Sequence, residues 1–404
     1  MSEPNRKIAL VTGMGVVSPY GIGAGLLWDG LVSGTDAVGE LSRFPLEGYR
    51  VTRGGQFKGD VDELVDCPSG DLATRFLLTA ADEALTQAQL TPHVDGAAIA
   101  LVVASNFAQI EQAEKLTAQL AQGTPLDEVA LQAFGTESAA VQLRRRFGLN
   151  GVVSMLSLSC ASGNAAIGAG LELIRHAHAD IVLVGAYDAI TQYAWSGLIA
   201  LRTMTSGKIR PFDATRDGTT FGEGAACLVL ESVESAERRN VVALAEVAGY
   251  ATNNNAFHLT APEKNGKSIA CAMALALLDA GVTSDEVDTV NAHGTATRYN
   301  DVTETAAIKQ VLGERSRQIP VNSIKSMIGH LCGAASAVEA VATVQTLRTG
   351  IVPPTIHYET PDPECDLDCV PNTAREYPMR VALNSASGLG GCNSMVVFRK
   401  VRGS

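Results

Sequence analysis

The groups in this chain best suited to covalent chemistry are a cysteine and two histidines, each beside small residues. Cys160 follows the apolar run 152–159 and precedes Ala161-Ser-Gly-Asn-Ala-Ala-Ile-Gly-Ala-Gly170. A thiol at the start of a helix feels the positive end of the helix dipole, which favours the nucleophilic thiolate. Unpaired backbone N–H groups there would also stabilise an oxyanion. The competing reading is a buried structural cysteine, since free Cys is among the most buried residue types. His293 opens His293-Gly-Thr-Ala-Thr297 directly after an apolar run, with Thr295 and Thr297 placed to offer hydroxyls. A third segment, Asn322-Ser-Ile-Lys-Ser-Met-Ile-Gly-His330, holds Lys325 and His330 ahead of an apolar helix. A lysine near a helix start is electrostatically unfavourable, so Lys325 is expected to have an acidic partner, and Glu304 is the candidate. A fourth, Ser387-Gly-Leu-Gly-Gly-Cys-Asn393, has three glycines that let another backbone or a ligand approach closely.

These residues need strands and helices to hold them. Short apolar runs at 7–12, 98–104, 152–158, 181–185, 226–230, 287–291 and 394–398 read as strands. Between them, 73–88, 161–178, 268–280, 302–312 and 331–348 read as helices. That alternation indicates α/β layers around a largely buried sheet. A weak internal repeat is present: Lys7-Ile-Ala-Leu-Val-Thr-Gly-Met-Gly-Val-Val-Ser18 matches Val241-Val-Ala-Leu-Ala-Glu-Val-Ala-Gly-Tyr-Ala-Thr252. Each half then runs to a turn and a small-residue helix start, with Cys160 and His330 both three residues before a glycine.

Composition narrows the function classes. Of 404 residues, 46% are hydrophobic and 18% charged, below the roughly 25% charged usual in soluble proteins, as expected of a large core with further surface buried in an oligomer. A net charge of −12 disfavours nucleic-acid or anionic-membrane binding driven by overall charge. No apolar run approaches the 18 or so residues of a spanning helix, so no membrane insertion is expected. With no secretory signal pattern at the N-terminus, eight cysteines read as free thiols of a cytoplasmic protein.

The Cys-Ala-Ser turn at 160, His-Gly-Thr-x-Thr at 293, Lys-Ser-x-x-Gly-His at 325 and the C-terminal Gly-x-Gly-Gly loop occur together in an order that resembles the β-ketoacyl-acyl carrier protein synthases. Pro211-Phe-Asp-Ala-Thr-Arg-Asp-Gly218 and Gly222-Glu-Gly-Ala-Ala226 resemble the elongation branch, which includes type II polyketide ketosynthases. The resemblance spans essentially the whole chain. It implies a thiolase-like α/β fold in which two duplicated halves, 1–240 with the nucleophile and 241–404 with both histidines, form a five-layered αβαβα sandwich. It also implies an acyltransferase that condenses a Cys160-bound acyl chain with malonyl carrier protein, with decarboxylation, in fatty-acid or polyketide biosynthesis. His293 and His330 would steady the enolate, Lys325 and Glu304 would be a supporting ion pair, and Thr295 and Thr297 would contact pantetheine. Leu389, Gly390 and Asn393 would line the substrate site, with the N–H groups of Cys160 and Leu389 as the oxyanion hole. No metal or organic cofactor is implied. The implied partners are an acyl carrier protein and a second subunit, either an identical copy or a chain-length-factor-like chain.

Two departures stand out. Leu389 replaces the usual Phe of the Gly-Phe-Gly-Gly loop. The stretch 60–71, where many relatives place a basic carrier-docking helix, is acidic here. Carriers of this family are themselves acidic, so docking is assigned to Arg202, Lys208 and Arg210. Competing readings are a non-catalytic partner subunit, which would lack the nucleophile, and a thiolase, which would use a second cysteine as base. A dinucleotide site at Gly13-Met-Gly-Val-Val-Ser18 lacks its third glycine. A zinc site at Cys365 and Cys369 lacks a second ligand pair.

Overall fold

The structure, a computed structural model, describes residues 6–67, 70–91, 99–135 and 138–401. Two sequence readings reach beyond them: residue 98 of the strand at 98–104, and residues 68 and 69 of the acidic stretch. Ten strands follow one path: β1 (Ala9–Ser18), β2 (Ala100–Ala104), β3 (Val153–Leu156), β4 (Ile181–Asp188), β5 (Gly224–Ser232), β6 (Ala245–Asn254), β7 (Thr289–Asn291), β8 (Val321–Asn322), β9 (Val381–Ser387) and β10 (Cys392–Arg399). Their spatial order is β8-β7-β9-β10-β6-β1-β5-β4-β2-β3, and the short strand Gly21–Ile22 pairs with β1.

That order is the same five-strand sheet written twice. From β1 outward, β5 and β4 join antiparallel, then β2 and β3 parallel. From β6 outward, β10 and β9 join antiparallel, then β7 and β8 parallel. The two sheets meet through a short antiparallel ladder in which Ala9 pairs with Val247. The sequence repeat at 7–18 and 241–252 therefore marks the two equivalent strands at the junction, β1 and β6.

Both faces of each sheet are apolar, which is why the strands read as continuous runs rather than as alternating patterns. In β4, Ile181, Leu183 and Tyr187 face outward, while Val182, Val184 and Ala186 face the space between the sheets. Helix α1 (Leu72–Gln87) covers the outer face of the first sheet through Phe76, Leu77, Ala80 and Ala84. Between the sheets lie α2 (Ser162–Arg175) and α5 (Ala335–Thr349), packed on each other and on both sheets. Helices α3 (Lys267–Ala280) and α4 (Arg298–Leu312) cover the outer face of the second sheet. The layers are therefore αβαβα, as the resemblance implied.

Glycines set the closest approaches. A Cβ at Gly163 would lie 2.3 Å from the Ala337 nitrogen, so the central helices cross only because position 163 has none. Gly13 and Gly15 sit mid-strand in β1, where a Cβ would come within 2.1 and 2.0 Å of the α1 carbonyls of Ala84 and Ala80. They seat a helix, which removes the dinucleotide reading. Cys365 and Cys369 are buried in the apolar layer under α3 and α4, so packing accounts for them.

The helix expected at 331–348 begins later. Gly329 and Cys332 both have positive φ, a 3₁₀ turn spans Cys332–Ala334, and α5 starts at Ala335. Lys325 instead occupies its own short helix, Lys325–Ile328. No helix among the described residues is long and apolar enough to cross a membrane.

Candidate active site

The two halves meet at one pocket. Cys160, His293, His330, Thr295, Thr297, Leu389, Gly390 and Asn393 all line it. Cys160 lies on the turn from β3 into α2. The preceding residue, Ser159, has φ +52°, a left-handed conformation that costs a non-glycine residue energy. The turn is held by Ser162, whose Oγ donates to the Ser159 carbonyl at 2.6 Å and accepts from the Leu158 N–H at 2.8 Å.

The expected lowering of the thiol pKa does not follow. Burial pushes it up, against the Ser159 hydroxyl, the Lys325 charge and the neighbouring Leu389 N–H. Desolvation penalises the thiolate more than the dipole and its neighbours reward it.

His293 and His330 come from the second half, on the turns after β7 and after the Lys325 helix. Their ring centroids are 5.3 Å apart with the planes at 85°, and Phe221 stacks on His330 at 5.6 Å. Burial, and then the charge of Lys325, hold both imidazoles well below their ordinary pKa. Both rings are thus neutral near pH 7. The Cys332 N–H donates to His330 Nδ1 at 3.2 Å, which makes Nδ1 the acceptor and leaves the proton on Nε2. Thr295 and Thr297 share a hydroxyl hydrogen bond of 2.9 Å at the pocket wall.

The supporting ion pair is not the expected one. Lys325 pairs with Glu339 of α5, both side chains being buried. Burial pushes the Glu339 carboxyl up to about 7 while the lysine opposes the shift. Glu304 has a different task. Its two oxygens accept from the N–H groups of His293 at 2.8 Å and Gly294 at 2.9 Å, and Ser385 donates to it at 2.7 Å. It fixes the His293 turn through the backbone. Glu339 was missed because it lies inside a helix that reads as uniformly apolar, 14 residues from Lys325.

Asn393 lines the pocket, but its side chain accepts from Ser387 and donates to Asn253. It braces the glycine loop. The proposed docking cations are largely spent: Lys208 pairs with Asp36 at 2.7 Å and Arg210 with Glu359 at 2.8 Å, and only Arg202 of the three has no partner among the described residues.

Asp188, at the end of β4, carried no sequence signal beyond its strand. Its buried carboxylate accepts from Ser105 Oγ, the Phe107 N–H and the Gly333 N–H at 2.7, 2.9 and 2.6 Å. It ties the loop after β2 to the turn that presents His330.

This arrangement of thiol and paired histidines is found on a chain whose residues 5–236 match the family model "Beta-ketoacyl synthase, N-terminal domain" and whose residues 244–359 match "Beta-ketoacyl synthase, C-terminal domain". The chain belongs to the β-ketoacyl synthase family. As a member it is a condensing acyltransferase. It is 37% identical to the tetracenomycin polyketide synthase ketoacyl synthase alpha subunit of Streptomyces glaucescens, over 99% of both chains. It is 34% identical to 3-oxoacyl-[acyl-carrier-protein] synthase 2 of Staphylococcus aureus, again over 99% of both. Among solved structures it superposes with TM-score 0.91 on a type II polyketide ketosynthase, described as bound to a hexaketide and in complex with its acyl-carrier protein. That structure is 34% identical and matches over 98% of this ketosynthase and 100% of its own chain.

Proposed function

We propose that this ketosynthase extends a Cys160-bound acyl chain by two carbons from malonyl carrier protein. The observation that carries the reading is the convergence of one thiol and two neutral imidazoles on a single pocket that Leu389 also lines. The Cys160 thiol attacks the acyl-carrier thioester, the acyl group moves to sulfur, and the carrier thiol leaves with the proton. Malonyl carrier then loses CO₂, and its thioester oxygen takes the enolate charge. His330 donates to that oxygen from Nε2, with His293 beside it. Donors aimed where charge develops supply the largest catalytic term. The enolate carbon attacks the acyl-Cys160 carbonyl, the N–H groups of Cys160 and Leu389 receive the oxyanion, and collapse frees the Cys160 sulfur and the 3-oxoacyl carrier.

Glu304, Lys325, Glu339 and Asp188 position these groups, and Thr295 and Thr297 hold the pantetheine arm. The halves 1–240 and 241–404 act as one unit, since each supplies part of the pocket. A second ketosynthase-fold subunit covers the free edge of β3, where Val152, Val153 and Met155 are exposed. A catalytically silent partner subunit would have no use for Cys160 in this setting. Leu389, at the mouth in place of the usual Phe, and the acidic stretch at 60–71 favour a specialised carrier over the housekeeping one. The reaction belongs in the cytoplasm, where cysteine thiols stay reduced.

The test is mass spectrometry of the protein with acyl carrier, then malonyl carrier. The expected result is an acyl adduct on Cys160 and a 3-oxoacyl product two carbons longer. Product formation by Cys160→Ala would refute the nucleophile assignment.

A further inference from the structure

Among the described residues most lysines and arginines are spent on a neighbour, and the exceptions are unevenly placed. Among the described residues, Arg202, Lys264, Lys267 and Arg298 are exposed and their side chains have no hydrogen-bond or ion-pair partner. All four border the mouth of the catalytic pocket. Leu201 and Thr203 line it on either side of Arg202, Glu263 and Ser268 enclose the two lysines, and Thr297 precedes Arg298. Lys58, Arg380 and Lys400 also lack partners, but Arg380 and Lys400 flank the ends of β9 and β10 remote from the pocket, and Lys58 lines a separate surface groove.

The same rim is apolar. Phe257, Leu259 and Tyr299 are 59%, 76% and 66% exposed. Phe257, Lys264, Arg298 and Tyr299 line a surface hollow that shares Ala261 and Pro262 with the catalytic pocket. Aromatic side chains beside unpaired cations are the composition of a docking face rather than of an ordinary solvated surface. Nearby acids do not cancel the cations. Asp362 is paired with Arg216, and Glu263, which also accepts from the Ser268 N–H, and Glu364 are two carboxylates set against the four cations.

We propose that Lys264, Lys267 and Arg298, with Phe257, Leu259 and Tyr299, form the surface on which an acidic carrier protein docks, with Arg202 completing the rim across the mouth. The proposal rests on the ketosynthase reading and moves the docking site away from Lys208 and Arg210. A net charge of −12 repels an acidic carrier at long range, so attraction must come from cations that no internal carboxylate has neutralised. Within a Debye length of about 8 Å at physiological salt, only the local charges count. A carrier seated there delivers its arm directly past Thr297 and Thr295 toward Cys160.

The experiment compares Lys264→Glu/Arg298→Glu with the wild type on two sets of thioesters, one carried on the carrier protein and one on N-acetylcysteamine. At low salt the KM for carrier-bound substrate should rise about tenfold, as expected when two rim charges are reversed. The kcat and the N-acetylcysteamine turnover should stay level, and the KM difference should shrink at high salt. The control Arg380→Glu should change neither. An unchanged carrier KM in the double variant would overturn the surface, as would an equal loss with N-acetylcysteamine substrates, which would place the residues in the pocket itself. A larger effect from Lys208→Glu/Arg210→Glu would return docking to the original loop. If the wild type turns over neither substrate set, the ketosynthase reading itself fails, which is a distinguishable result.

Discussion

The buried Lys325–Glu339 pair gives the sharpest test of how the site is held. Glu339→Gln leaves the ammonium of Lys325, only 1% exposed, without its counter-charge. Removing one member of a buried pair typically costs about 3–5 kcal/mol, because the remaining charge stays desolvated. Against a total folding stability of roughly 5–15 kcal/mol, that is a large fraction. Lys325→Met/Glu339→Gln removes both charges and should recover most of the loss. The coupling energy between the two positions should therefore be at least about 2 kcal/mol, near the upper range for contacting residues. Glu304→Gln should also destabilise, since Glu304 serves the backbone of His293 and Gly294 and the Ser385 hydroxyl, but its coupling to Lys325 should be smaller than that of Glu339, with which Lys325 makes its ion pair. Equilibrium urea unfolding, read from the fluorescence of buried Trp195, gives all the terms. Stronger coupling of Lys325 to Glu304 than to Glu339 would refute the assignment and restore the pairing expected from sequence.

The histidines carry a pH signature. Both have folded pKa values well below 6.5, so the stability they contribute is present above pH 6.5 and is lost as pH falls below it, because only the unfolded chain takes up the protons. Malonyl-carrier decarboxylation should accordingly stay level as pH falls through 6.5, and Lys325→Met should move its acid limb upward; a wild-type rate that titrates at 6.5 would contradict neutral, buried rings. The Cys160 thiol, with its pKa raised above 9.0 by burial, should alkylate slowly with iodoacetamide at pH 7 and accelerate above pH 9, as followed by peptide mapping that separates it from exposed Cys271. Gly163→Ala should cost about 1–3 kcal/mol by overpacking the crossing of α2 and α5, seen as a lower urea midpoint, because the new Cβ would meet the Ala337 nitrogen at 2.3 Å.

Several elements were legible because their signals are local. The repeat at 7–18 and 241–252 was visible as a likeness between the two halves, though only the ladder between β1 and β6 shows that it marks the junction of the sheets, and the small residues after Cys160 marked the start of α2. Strand β9 was not seen. Its second half contains Asn384 and Ser385, which read as loop residues, yet both are fully buried. Asn384 donates to Asn164 and to the Ser336 carbonyl and accepts from Asn291, so a polar pattern conceals a core strand. The helix Ile110–Gln122 was missed for the opposite reason, since it buries only Leu116 and most of its surface is polar.

The sequence alone determined which groups are present and on which turns they stand. A thiol and two imidazoles have fixed intrinsic chemistry, and the glycines and small residues around them satisfy steric demands within a few residues. Only the tertiary structure decided how those groups behave. The thiol is harder to ionise than its place before a helix suggests, and the imidazoles are neutral with one proton position fixed. Lys325 is neutralised by Glu339, and Lys208 and Arg210 are already paired. Each of these depends on burial and on which charges come within a few ångströms, and electrostatic energies change several-fold with those two quantities. Spacing along the chain does not encode them until β7, α5 and the loop after β2 have closed around Cys160.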